Sequence, residues 1–188
     1  MPQQNHIWWH LILSTYASWL PGDPRGFRNR DHRIHSSGDY HYPPPTGEHA
    51  GLLRYAKSIS GDTIVFSTCK IKERVGRALL KQLSETNHRV LVIAVGRTHV
   101  HLLIEYPEEP ILFSKLVTKL KTKSSAAVGD VLPGRVWGRG DTRELKIDRA
   151  AQLKCFDYVR NDQEKGAWVW TFKEDYVPPE KRKRLNKR

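Results

Sequence analysis

Two runs of β-forming residues stand back to back in this chain, Arg89 to Val95 and Thr98 to Tyr106, with only Gly96 and Arg97 between them. So short a connection allows one geometry, an antiparallel hairpin. On both sides the pattern switches to a helical period. Residues 70 to 87 place Val75, Ala78, Leu79 and Leu83 on one face, and residues 110 to 128 repeat Leu112, Leu116 and Leu120 at every fourth position. The apolar run Ile7 to Leu13 reads as an earlier buried strand, and Arg143 to Ile147 as a later short one. Asp148 then suits an N-cap for a helix over residues 149 to 165, closed by Gly166. The order β-α-β-β-α-β plus one helix predicts an α+β fold, a ferredoxin-like split βαβ sandwich with the first and third strands central. Its antiparallel sheet is expected to carry helices on one face, with the extra C-terminal helix added to it.

Between the first strand and the first helix, residues 18 to 51 are rich in Gly, Pro and polar side chains and read as a long loop. The expected organisation is one domain over residues 1 to 179 followed by a basic tail, 180 to 188. The tail holds six cations and one anion, a charge of +5 (6 − 1) out of +12 for the whole chain (32 Lys and Arg against 20 Asp and Glu). A polyanion is the natural partner of such a surface, and nucleic acid the first class to consider. No 18-residue apolar run is present, and the first ten residues lack a cationic stretch followed by an apolar one, so neither a membrane partner nor export is expected. Cys69 and Cys155 are the only cysteines and have no CxxC spacing, which argues against a disulfide framework or a cysteine zinc cluster. Reduced thiols in a cytoplasmic protein are expected. His32, His35, His41 and His49 lie in the long loop without zinc-ligand spacing and are assigned no metal.

The second strand of the hairpin carries the chemistry. Alternation puts Val100, Leu102 and Ile104 on one face and His99, His101, Leu103 and Glu105 on the other, so both imidazoles leave a central strand on the same side. One divalent ion can be reached by both, with at least one further ligand required. A His-x-His taken alone is most often a pair of ordinary strand histidines. The terminal helix shifts that weighting. Leu153 and Phe156 are expected to form its packing stripe, with Tyr158 facing away from them alongside Ala151, Cys155 and Asp162. A phenol and a carboxylate that close over two histidines form a set suited to phosphoryl transfer, because a metal that polarises a phosphate oxygen makes attack by a phenol feasible.

The segment Thr98 to Pro107, THVHLLIEYP, resembles the His-hydrophobic-His motif of the HUH single-strand DNA nucleases, in particular the single-tyrosine insertion-sequence transposases and the REP-associated tyrosine transposases. Tyr158 to Gly166 resembles the tyrosine followed by an Asn-rich turn found in that family, and Thr15 to Gly26 resembles its early loop. The resemblance implies an enzyme, a DNA strand-transferring transesterase. His99 and His101 would hold Mg²⁺ or Mn²⁺, and Tyr158 would attack single-stranded DNA to leave a 5′-phosphotyrosine and a free 3′-OH, at hairpin, REP-like sequences. Family members complete the metal site with a polar residue one turn after the tyrosine. Here that position is Asp162, flanked by Asn161 and Gln163, and the third ligand is open among them.

Trp19 and Arg25 are candidates to stack on and pair with unpaired bases, and the row Lys115, Lys119 and Lys123 is a candidate to track a DNA backbone. The resemblance covers both monomers and homodimers with the tyrosine helix in trans; the long loop and tail here favour a monomer. The competing reading is a non-catalytic DNA-hairpin-binding protein or repressor built on the same fold. An RNA-binding module would want aromatics where this strand has histidines.

Overall fold

The computed structural model describes residues 6–27, 35–38 and 42–182. Its elements run β1 (His6–Ser14), α1 (Ala50–Ser60), α2 (Cys69–Glu85), β2 (Val90–Val95), β3 (His99–Pro107), α3 (Pro110–Ala126), β4 (Thr142–Lys146), α4 (Arg149–Asn161) and β5 (Trp168–Thr171), then one 3₁₀ turn, Pro179–Lys181. The five strands form one antiparallel sheet in the order β4-β1-β3-β2-β5. The first and third strands of the ferredoxin-like plan are therefore central, as the sequence predicts. Two elements were not expected. The loop read as extending to residue 51 gives way to α1 at Ala50, and β5 joins the free edge of β2.

One face of the sheet is dry. Leu11 and Leu13 of β1, Ile93 and Val95 of β2, and Val100, Leu102 and Ile104 of β3 all bury against α2 and α3. Helix α2 starts where the Thr68 side chain accepts a hydrogen bond from the Ile71 N–H, and it buries Val75, Leu79 and Leu83. Helix α3 buries Phe113, Leu116, Val117 and Leu120, while Leu112, expected in that stripe, is 40 % exposed. The stripe follows the i, i+3, i+4, i+7 spacing, and every fourth residue drifts off it.

Helix α4 lies on the opposite face, over Trp8, Val92, Ala94 and Leu103. Its buried residues are Gln152, Cys155, Val159 and Asn161. The expected packing stripe is thus corrected: Leu153 is 46 % exposed and Phe156 only partly buried. Small side chains at 155 and 159 let the helix sit close to the sheet, which places Tyr158, three residues after Cys155, at the seam rather than on the outer side.

The C-terminal end of α4 is tied across the molecule. Lys72 Nζ of α2 donates to the Gly166 carbonyl at 2.6 Å, and the Glu164 carboxylate accepts from the Arg97 backbone N–H. Trp168 fills the space beside Gly76, where any Cβ would meet its ring at 2.1 Å. The other end is held by its own cap, Asp148 accepting from the Ala151 N–H, between exposed Ile147 and Leu153. Among the described residues no helix is long and apolar enough to cross a membrane. His32, His41 and the tail beyond Arg182 lie outside the described residues.

Candidate active site

The site is assembled from the α4 face of the sheet. In the register of β1 with β3, Ser14 stands opposite His99, Ile12 opposite His101 and His10 opposite Leu103. Directly opposed residues share a face, so three imidazoles project toward α4. His101 meets small Ala94 across the β2 side, which leaves room for its ring under the helix. The His99 and His101 rings are 4.9 Å apart between centroids and nearly perpendicular, and Tyr158 stands 5.5 Å from His101, edge to face.

These three side chains line one cleft of about 370 Å³ together with Ser14, Trp19 and Arg25. The loop after β1 brings the last two. Arg25 grips Asp23 with two hydrogen bonds, Nε to Oδ1 at 2.8 Å and Nη2 to Oδ2 at 2.6 Å, and lays its guanidinium 4.3 Å from the centre of the Trp19 ring. The indole N–H donates to the Gly26 carbonyl at 2.6 Å, closing the loop on itself. A half-exposed aromatic plane and a cation therefore stand at the mouth of a cleft floored by imidazoles and a phenol.

Burial sets the charge state of the floor. The His101 imidazole titrates well below the usual histidine value because it is desolvated, with His99 and His10 adding repulsion for a proton. His99 is lowered chiefly by burial as well; Glu164 pulls the other way and Arg25 reinforces it. Neutral imidazoles with free lone pairs are what a divalent ion needs from histidine, so the donor set fits a metal.

Of the residues singled out in the sequence, Tyr158, His99, His101, Trp19 and Arg25 converge on this cleft, and two groups do not. Asp162 is the C-cap residue of α4, its N–H bonded to the Tyr158 carbonyl at 3.0 Å, and it is not among the cleft-lining residues. Among the described residues, no three His, Cys, Asp or Glu side chains stand together as a preformed metal cluster. Lys115, Lys119 and Lys123 are exposed on α3, the layer on the other side of the sheet. His10 was missed. Its run, HIWWHLILS, is apolar on both faces, so nothing singles it out until the register with β3 is known; its shared parity with Ile12 and Ser14 is the only sequence signal.

Residues 63–139 match the family model of IS200-like transposases. The matched segment is less than half of the chain. It holds α2, β2, β3 and α3, and with them His99 and His101, whereas Trp19, Arg25 and Tyr158 fall outside it. In the described residues a five-stranded antiparallel sheet carries helices on both faces, an α+β fold. The solved structure of a REP-associated tyrosine transposase bound to a REP hairpin is similar over 85 % of this chain and 67 % of its own, at 12 % identity and a TM-score of 0.45. No curated protein matches the sequence.

Proposed function

We propose that this chain is a DNA-cutting and rejoining transposase whose nucleophile is Tyr158, acting on single-stranded DNA at hairpin, REP-like sequences. The observation that carries this reading is the convergence of Tyr158, His99 and His101, from two elements far apart in sequence, on one cleft with an aromatic and a cation at its mouth. In the reaction the Tyr158 phenol loses its proton and its oxygen attacks a backbone phosphorus. The P–O3′ bond breaks, the 3′ oxygen leaves and takes up a proton, and the 5′ end stays on the tyrosine. Reversal with another 3′-OH rejoins the strand. His99 and His101 would hold Mg²⁺ or Mn²⁺, and Asp162, one turn beyond Tyr158 and outside the cleft lining, would have to turn in from the end of α4 to act as a third donor. When bound, the ion supplies charge stabilisation at the phosphate oxygens. Trp19 offers a face for an unpaired base, with Arg25 beside it for phosphate or base edges.

Tyr158 sits over the histidines of its own chain, an arrangement that supports action as a monomer. The lysine row on α3 is separated from the cleft by the sheet, so a strand that used both would have to wrap an edge. The +12 charge supports nonspecific phosphate affinity in addition. Tyr158→Phe tests the reading: with hairpin DNA and Mn²⁺, wild type should give a protein–DNA adduct on a denaturing gel and the variant none, while both bind the hairpin alike. Adduct formation by the Phe variant would remove Tyr158 as nucleophile. Absence of any cleavage by wild type on REP-like hairpins would favour a binding protein instead.

A further inference from the structure

We propose that His10, with Glu144 behind it, is a positioning residue that fixes His101 in the tautomer whose Nε2 is free to bind a divalent metal. The inference rests on His101 being a metal ligand, as proposed above.

Three strands build the arrangement. Glu144 of β4 stands directly opposite His10 of β1, and His101 of β3 lies on the diagonal next to His10's partner Leu103. His10 Nε2 and His101 Nδ1 are 2.9 Å apart and buried. Their rings are inclined by only 19° with centroids 5.1 Å apart, so the hydrogen bond lies close to both ring planes, along the nitrogen lone-pair direction. On the other edge of His10, Nδ1 is 3.6 Å from Glu144 Oε2, too long for a good hydrogen bond but close enough for the charge to be felt.

One proton occupies the His10–His101 contact, and two arrangements are open to it. In the first, His101 Nδ1–H donates to His10 Nε2, His10 carries its own proton on Nδ1 toward Glu144, and His101 Nε2 is left as a bare lone pair. In the second, His10 Nε2–H donates to His101 Nδ1. That puts the His10 Nδ1 lone pair against a carboxylate and the remaining His101 proton on Nε2, where a metal would have to bind. Glu144 biases the choice. Lys146 holds that carboxyl below the usual carboxylate range, so it is an anion at neutral pH and its position at the Nδ1 edge favours the first arrangement, against the repulsion that the Lys146 ammonium itself exerts on a proton at His10. Neutral histidines that ligate metals commonly need such a partner on their other nitrogen.

Two measurements on metal-free protein and Mn²⁺ test this. Long-range ¹⁵N–¹H correlation should show His101 as the Nδ1–H tautomer in wild type, shifted toward Nε2–H in His10→Phe and, to a smaller extent, in Glu144→Gln. The Glu144 side chain is 65 % exposed, so that variant should fold whatever the fate of His10→Phe. Titration calorimetry should show Mn²⁺ binding weakened about 10- to 100-fold in His10→Phe, and largely restored in His10→Gln, whose amide oxygen can accept from Nδ1–H. An Nε2–H tautomer in wild type overturns the proposal, and so does wild-type Mn²⁺ affinity in His10→Phe while His101→Ala has lost it. Wild-type Mn²⁺ affinity in His101→Ala overturns the metal reading itself, and this inference falls with it.

Discussion

The two faces of the sheet are built from the same strands yet follow opposite rules. Toward α2 and α3 the strands present aliphatic side chains and a few aromatic ones, Trp9, Tyr106 and Trp168, to buried aliphatic and aromatic ones, with no buried charge among them. Toward α4 the buried set includes His10, His101, Glu105, Gln152 and Asn161, and the apolar members are mostly small. Close packing of large apolar groups contributes most of the free energy of folding, whereas buried polar groups at best repay their desolvation. The difference teaches a division of labour: one face holds the fold and the other bears the cost of the site.

Leu102 and His99 are three residues apart on β3 and face opposite layers, so they split that division most sharply. Leu102→Ala should cost about 2–5 kcal/mol in chemical denaturation, while His99→Ala should stay within about 1 kcal/mol and lose metal-dependent cleavage. Equal stability losses would mean that the histidine face also carries the fold. Gly76→Ala comes next. Its methyl would meet the Trp168 ring, and overpacking there should cost about 1–3 kcal/mol with the His99 and His101 chemistry unaltered in the folded fraction. A neutral result would show β5 to be loosely seated. The smallest effect is chemical. Burial pushes the Cys155 thiol up to about 11, whereas Cys69 is exposed. At pH 8 only roughly 0.1 % of Cys155 is thiolate, so iodoacetamide should modify Cys69 quickly and Cys155 slowly; equal rates would show α4 lifting from the sheet.

The dry face was the legible one. Val75, Leu79 and Leu83, and Val100, Leu102 and Ile104, repeat at the periods of helix and strand, and the strand order followed from them. His99 and His101 were readable for the same reason, since alternation fixes parity without any knowledge of the partner strand. Helix α4 misled because its buried side is Gln152, Cys155, Val159 and Asn161, while the bulkier Leu153 and Phe156 lie toward its outside. A hydrophobic count ranks those two sets the wrong way round. His10 was hidden inside a strand that is apolar on both faces, and its role depends on a hydrogen bond across 91 positions of sequence. Helix α1 buries only Ala56 and β5 is four residues long, so neither leaves much periodicity to find. The family match stops at residue 139, before Tyr158, so that tyrosine and the histidines were joined only by geometry.

The ties at the end of α4, Lys72 to Gly166, Glu164 to Arg97 and Trp168 beside Gly76, have a mechanical meaning. A rod clamped at one end and lightly held at the other bends about the clamp, and displacement grows with distance from it. Tyr158 sits within the last turn before the tied end, whereas in the first turn only Gln152 is buried. A load applied to the outer turns would therefore be spent as travel there, with the phenol near the fulcrum keeping its place over the imidazoles.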